Sequence, residues 1–522
     1  MSDDIDKKLD GSVHTADVEK GTVEDTQKYR TWLRYNSPIV QVMITAFVAF
    51  GCPGMYNSLT GIGAGGQVDT NTTSTGNIAL YAINAGVYLF IAPIVYHYTG
   101  SRWCMFFGGM AYPLYAGSLL AYNHIASRGF VIAAAAILGI GSSHLWVGQG
   151  ALMTGAPLPH EKGLLIGLYW FVFNIGGVIG SFIEMGINFD SVQSTVSDPT
   201  YAVFIALMGA GFLAALLILP QRKIVRTDGS RIRPVEERPN VVRDFIKILK
   251  ILPRKETIVL LPFFIASNWC YTYQQNTVNL RLFNIRTRGF DSAFYWFGAF
   301  TSPIMGIALD NKRWSRRKTA ISGYLLLVVL HFIVFGGGVA LQLRSASSAD
   351  DTSDNHMYKT HALDFLDSGT KFAGPFLLYF AYGIFDSLWQ TYAYWIIGCI
   401  GTDDEVSARY VGLYKSMQSA GAAVAWKLNA MPISYTLEFG LNWGIMGGSL
   451  IVLAPFFLWM KEPEEQVPEQ GGFLEGAEIM PSIYAVRSDQ THLAPSRSKM
   501  SPQQTQVAPS RTIDAVFEGS HS

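Results

Sequence analysis

The sequence predicts an all-α membrane protein of twelve transmembrane helices arranged as two six-helix pseudo-repeats. Three observations carry this. Lys, Arg, Asp and Glu crowd into the two ends and a few connections, leaving apolar runs of about 20 residues, each long enough at roughly 1.5 Å per residue to cross a hydrocarbon core of about 30 Å. One such run suits a buried helix in a large soluble protein; a dozen in series do not. Second, the stretch from Pro220 to Lys255 carries Arg222, Lys223, Arg226, Arg231, Arg233, Arg238, Arg243, Lys247, Lys250, Arg254 and Lys255. No other connection is as cationic, so the positive-inside bias places it in the cytoplasm. Third, a sequence repeat runs across that linker. The chain has 522 residues, is 49% hydrophobic and carries no formal net charge. Total charge therefore names no partner.

Residues 1–34 read as a polar, disordered cytoplasmic tail ending in the anchor Arg30, Trp32, Arg34, Tyr35. This polar start argues against a cleavable signal peptide. A first bundle is expected over 35–219. Its first span begins near Pro38, and Gly51, Pro53 and Gly54 should kink or thin its outer part. The loop GAGGQVDTNTTSTG has no Lys or Arg and holds the sequon Asn71-Thr72-Thr73, a candidate glycan acceptor on an outer surface. Further spans are expected near 77–98, 103–122, 130–153, 163–187 and 201–219. The linker 220–256 includes Val242, Phe245, Ile246 and Leu249 at helical spacing, opposite Arg243, Asp244, Lys247 and Lys250. This is a short basic amphipathic helix for the inner leaflet, or a plain solvated connector.

The second bundle, 257–460, should hold spans near 257–276, 291–310, 319–341, 374–400, 408–428 and 441–460. Arg281, Arg286 and Arg288 fall in an outer connection, against the charge rule. The tail 461–522, rich in Pro, Ser, Gln and Glu, reads as disordered and cytoplasmic. The cysteines Cys52, Cys104, Cys270 and Cys399 sit in or beside apolar runs without metal spacing, as small packing residues do.

The repeat aligns GLYWFVFNIGGVIG (167–180) with GLYKSMQSAGAAVA (412–425). Gly176, Gly177 and Gly180 meet Gly421, Ala422 and Ala425, small residues that let helices touch backbone to backbone. Upstream, GIGSSHLW (139–146) matches GIFDSLW (383–389) at nearly the same offset. Two six-helix halves in one orientation are the parallel repeats of a major facilitator transporter. The segment GIALDNKRWSRRK (306–318) resembles that superfamily's loop motif, Gly-x-x-x-Asp followed by a basic cluster. The resemblance implies a cytoplasmic latch of Gly306, Asp310, Arg313, Arg316 and Arg317, though a positive-inside anchor alone explains the cations. The first-half counterpart, HYTGSRW (97–103), keeps Gly100 and Arg102 but lacks the acid.

Four ordered blocks sharpen the likeness: FGCPGMYNSLTGIGAGG (50–66), GIGSSHLWVGQGALMTG (139–155), KGLLIGLYWFVFNIGGVIGS (162–181) and RYVGLYKSMQSAGAAVAW (409–426). Across about residues 36–460 the chain resembles the fungal members of the UNC-ninety-three-like, or ion channel regulatory protein, branch of the major facilitator superfamily. The loop APLPHEKG (156–163) departs from the expected Tyr-Pro type. Membership implies the fold firmly and the activity loosely, because some animal relatives regulate channels or escort receptors.

Depth selects the candidate site residues, since midplane polar groups are costly unless paired or facing a cavity. Asp386 lies about 16 Å beyond Pro375 by helical rise, near the bilayer centre, with Trp389 and Gln390 on the same face. Asn268 and His331 fall at similar depth, and His144 somewhat inward. His331 also reads as an ordinary packing histidine. Lys415 either reaches Asp386, as switch or brace, or snorkels to the cytoplasm. Glu184 should be an interfacial acid at the outer surface, about 31 Å along its span. The aromatic and amide stretch SNWCYTYQQN (267–276) suits a cavity wall, with Gln41, Tyr56 and Asn57 as its counterparts in the first span.

The leading expectation is a secondary transporter of a small organic solute, with protonation of Asp386 as the coupling step. The alternative is a non-transporting regulatory or trafficking subunit for another membrane protein, which the degenerate first-half motif favours. No nucleophile elbow, metal cluster or phosphate loop points to an enzyme, and no cofactor, metal or nucleic-acid partner is expected beside the lipid bilayer.

Overall fold

The described residues of the computed structural model are helical almost throughout, and eight of their helices are long and apolar enough to cross a membrane. The structure describes residues 33–67, 69–158, 161–190, 195–232, 241–309, 313–347, 362–400 and 404–460. All lie in one compact unit, Met1–Val486; the second unit, Arg487–Ser522, lies outside the described residues. Both expected tails, but for residues 33 and 34, and Asp310 lie outside them as well. Strand-like pairing among the described residues is limited to two isolated bridges, Val225 with Arg231 and Phe283 with Leu363.

Helix α1 (Pro38–Gly61) starts on the Ser37 cap with Pro at its first turn, where a missing N–H costs nothing. It widens into a π-helical turn over Phe50–Gly54, because Pro53 cannot donate to the regular ladder. Next come α2 (Thr70–Phe90), α3 (Ala92–Ile125), α4 (Arg128–Gly155), α5 (Lys162–Ile187) and α6 (Asp198–Leu217). After the linker helix α7 (Val241–Ile251) come α8 (Lys255–Ala266), α9 (Ile285–Leu309), α10 (Arg316–Ser347), α11 (Thr370–Ile400), α12 (Asp404–Asn429) and α13 (Tyr435–Trp459).

Three expected boundaries move. The stretch through Asn71, expected as an outer loop, is largely helical, since Asp69 caps α2 by accepting from the N–H groups of Asn71 and Thr72, both at 3.1 Å. The spans expected at 77–98 and 103–122 join without a loop; a break at Gly100 (φ 72°) turns the chain inside α3. The span expected at 257–276 ends early, at Ala266, and resumes through a π-helical segment, Tyr273–Asn279, whose side chains are buried. In the linker, the expected amphipathic helix is present as α7, with Ile246 and Leu249 about half exposed.

Two apolar cores form, one from each side of the linker. The first gathers residues from Val42 to Ile232 with Ile285, the second residues from Ile251 to Phe457. Between them α5 packs along α9 and α2 along α12. Within each set, the aligned glycines make matching contacts. A Cβ on Gly176 of α5 would lie 2.7 Å from the Phe50 carbonyl of α1, and one on Gly421 of α12 only 2.1 Å from the Ile265 carbonyl of α8. Two of the three arginines that break the charge rule are absorbed, while Arg281 is exposed. Arg286 pairs with Asp364 and, at 3.3 Å, with Asp367, while Arg288 is buried and donates through Nε to the Phe283 carbonyl.

Gly421→Ala should lower stability by about 1–3 kcal/mol, because backbone rather than a movable side chain receives the new methyl. Gly86→Ala, which meets nothing within 4 Å, should be neutral. Melting curves of both detergent-purified variants check this, and equal melting temperatures would contradict it. Burial pushes the Asp364 carboxyl up, but bonds from Arg286, the Leu366 N–H and Asn284 outweigh it and hold it below the usual range. Its folded value is therefore depressed. The stabilisation is present above the unfolded value of about 3.9 and is lost as pH falls through the lower folded value. Asp364→Asn should cost about 1.5–3 kcal/mol at neutral pH and nothing in strong acid.

Candidate functional site

The site is built where α11 crosses the broken span formed by α8 and its π-helical continuation. Asp386 stands near the middle of α11 and is 6% exposed. One turn on, Gln390 donates through Nε2 to its Oδ1 at 3.1 Å, as helical spacing directs. Tyr271, in the break after α8, donates to Asp386 Oδ2 at 3.0 Å and accepts from Gln390 at 2.9 Å. Tyr81 of α2 faces the same carboxylate from across the linker division.

Lys415 does not pair with Asp386 directly. Its ammonium donates to Gln418 Oε1 at 3.0 Å and lies 5.5 Å from the ring centres of Tyr394 and Tyr414. Gln418 Nε2 in turn reaches Gln390 Oε1 at 3.4 Å. The cation and the acid are thus joined through two amides, Lys415–Gln418–Gln390–Asp386, and cation–π contact supplies what a direct ion pair would have given. Ser267 and Tyr414 hold Gln418 in place, at 3.1 and 3.2 Å. This is a relay of amides between opposite charges, able to bind a polar group or to reorganise when either end changes charge.

The other candidates lie elsewhere. Trp389 is fully buried on the core side of α11, stacked on Phe263 at 4.4 Å. Its expected place beside Asp386 is therefore corrected: a three-residue step also points inward, and the large ring follows apolar contact. His331 packs on Phe335, at 4.6 Å between rings, and against Gly447. Asn268 is half-buried, and no bond joins it to Asp386; its Oδ1 has no hydrogen-bond partner. His144 binds back to the Ile140 carbonyl at 2.7 Å on its own helix. Gln41 is buried and braces the start of α1, bonding Tyr35 and Leu219. Of the latch residues, Gly306 is buried and Arg313, Arg316 and Arg317 are exposed. Asn71 is exposed; it accepts from Arg128 at 2.8 Å and donates to the Ala430 carbonyl at 3.5 Å. Sequence reasoning passed over Gln418, although its step of three from Lys415 on a helix was visible. Nothing in the sequence pointed to Tyr81.

At the end of the molecule far from the linker, a polar seal joins the two sets of helices. Asn276 receives the Ala64 N–H at 2.8 Å and donates to Asn429 Oδ1 at 2.8 Å. Ser74 also donates to Asn429, at 2.9 Å, and Asn279 and Tyr379 both donate to the Gly61 carbonyl. The buried Glu438 accepts from Thr277 at 2.6 Å and Asn429 at 3.0 Å.

Such an arrangement, helices packed in two sets with a buried acid near the middle of one of them, has the fold of major facilitator-type transporters. Solved structures agree: a D-xylose–proton symporter (TM-score 0.53, 13% identity) covers 82% of this chain and 98% of its own. A proton-dependent oligopeptide transporter (TM-score 0.54, 13% identity) covers 81% and 100%. The family model for the ion channel regulatory protein UNC-93 matches residues 65–437. UNC93-like protein 1 of Arabidopsis thaliana is 40% identical over 85% of this chain and 95% of its own. UNC93-like protein C922.05c of Schizosaccharomyces pombe is 37% identical over 82% and 84%. The chain belongs to the UNC-93 family, and it is an integral multi-pass membrane protein.

Trp389→Ala should cost about 3–5 kcal/mol as a core truncation, whereas Gln390→Ala should leave folding nearly intact. Thermal melts followed by size exclusion test the division; the reverse ranking would return Trp389 to the site.

Proposed function

We propose that this chain is a secondary transporter of a small organic solute, working by alternating access about the Asp386 relay. One observation carries the reading: a buried carboxylate at mid-helix held by Tyr271 and Gln390 and linked by amides to Lys415. A static brace is better served by a direct ion pair. A relay of rotatable amides can let solute in and can respond when Asp386 gains a proton. On this reading twelve helices form two six-helix repeats. The two apolar cores and the matched glycine contacts at Gly176 and Gly421 support that count. Eight of the twelve are long and apolar enough to cross a membrane by themselves; α2, α8, α11 and α12 are not, and α11 and α12 carry the relay. The basic linker end is cytoplasmic by the positive-inside bias, as are both termini. The far-end seal then closes the outer side, and Asn71 is an outward-facing acceptor candidate. The fold favours transport over enzymatic chemistry.

A second reading rests on the family description, an ion channel regulatory protein. There the same scaffold serves as a regulatory subunit for another membrane protein, and the relay sets its conformation rather than moving solute.

A solute panel screened by thermal stabilisation at two pH values separates them. A bound solute at about 100 times its Kd should add about 2.7 kcal/mol. We expect a hit that weakens in Asp386→Asn, together with loss of concentrative uptake by that variant in proteoliposomes. Normal accumulation by Asp386→Asn would end the coupling claim. A silent panel on folded protein, with a stoichiometric membrane partner co-purifying, would favour the regulatory subunit.

A further inference from the structure

Two buried acids lie outside the Asp386 relay, one on α5 and one on α9, helices that pack along each other. Glu184, less than one turn from the end of α5, is 2% exposed, and Asp291 of α9 is fully buried. Neither carboxyl has a hydrogen bond of normal geometry on either oxygen. The sequence placed Glu184 at an aqueous interface; instead it is buried, with Ser58 of α1 and Tyr201 of α6 facing it. A Cβ on Gly289 of α9 would sit 2.8 Å from the Met185 N–H, which leaves no room for water between the backbones. A run of hydroxyls joins the two neighbourhoods: Ser181 bonds Ser58 at 3.1 Å and Ser292, next to Asp291 in sequence, at 2.9 Å.

Among the described residues, the groups facing these acids offer no compensating charge. Ser58 of α1 and Tyr201 of α6 face Glu184, and Tyr201 donates to the Gly65 carbonyl at 2.7 Å. Tyr379 of α11 faces Asp291 and donates to Gly61. On α9 itself, Arg288 gives its Nε to the Phe283 carbonyl, and Arg286 is held by Asp364. An ionised carboxylate buried without a counter-charge, with the Ser58 hydroxyl as the one donor beside Glu184 and none beside Asp291 among the described residues, costs several kcal/mol, so the closed contact accommodates each acid in its neutral form.

We propose that Glu184 and Asp291, whose neighbours Ser58 and Tyr379 are tied into bonds across the seam, are two proton-binding groups behind the far-end seal, separate from Asp386; the acids hold protons while the seal is closed and release them to water when it opens. Each opening converts two carboxylic acids to carboxylates and delivers two protons to the outer solution. Acid outside therefore keeps the seal shut, and alkali favours opening. The proposal rests on the alternating-access reading for the motion, but not on any solute being carried.

The test reads the seal itself. Spin labels at Ile125→Cys and Leu437→Cys, both exposed positions on opposite sides of the linker division, report the outer separation in nanodiscs, with the native cysteines replaced. We expect the long-distance population to grow with pH, by up to about tenfold per pH unit for each proton released. Glu184→Gln with Asp291→Asn, which keep the neutral shape, should stay closed and lose this dependence. Asp386→Asn should retain it, whether or not any solute is transported. Infrared difference spectra should show a protonated carboxyl band at neutral pH that the double variant lacks. Identical titration in parent and double variant would overturn the proposal. So would a seal that never opens, a dependence on sodium at fixed pH, or difference bands of ionised carboxylate alone.

Discussion

The hydrocarbon interior of a bilayer supplies no hydrogen bonds, so every polar group carried into it must find a partner in the protein or line a wet cleft. That constraint organises this molecule more than any single contact. It explains why amides at Asn276, Asn279, Asn429 and Gln418 bond across helices rather than outward. It also explains why Lys415 lies beside two tyrosine rings. The apolar bulk of each helix set is indifferent to lipid or protein neighbours. The polar minority has few places to go, and those places define the site and the seal.

Close packing lets that minority meet. Where α1 and α8 lose the regular helical ladder, backbone and side-chain polarity is freed near the middle and far end of the molecule, and the seal uses it. Small residues at Gly51, Gly176 and Gly421 bring neighbouring backbones near enough that a methyl group would collide. The loop carrying Asp364 closes over the start of α9 through Arg286 and stacks Phe365 on Phe290 at 4.9 Å. A connection whose cations break the charge rule is thereby fixed to its own helix.

A transporter-like scaffold within a family described as channel-regulating joins two expectations that need not conflict. A protein that changes shape between two sealed states can carry a solute or signal to a neighbour, and the same central acid and far-end seal serve either use. What separates them is whether the relay around Asp386 has a ligand, since fold alone hosts both.

Much was legible in the chain itself. Charge-free runs of bilayer length, a basic linker and small-residue blocks on both sides of it specify helices, their order and the division between the two sets. Those signals are local or periodic, and the bilayer acts on them one segment at a time. Asp386 and Gln390 were also readable as a pair, because a helix puts residues four apart on one face. The tertiary structure alone decided that Lys415 reaches the acid through Gln418, that Trp389 turns to the core, and that Glu184 is sealed rather than interfacial. Depth along a helix follows from counting residues. Which neighbour covers a given face depends on how distant helices cross, and no stretch of sequence carries that information by itself.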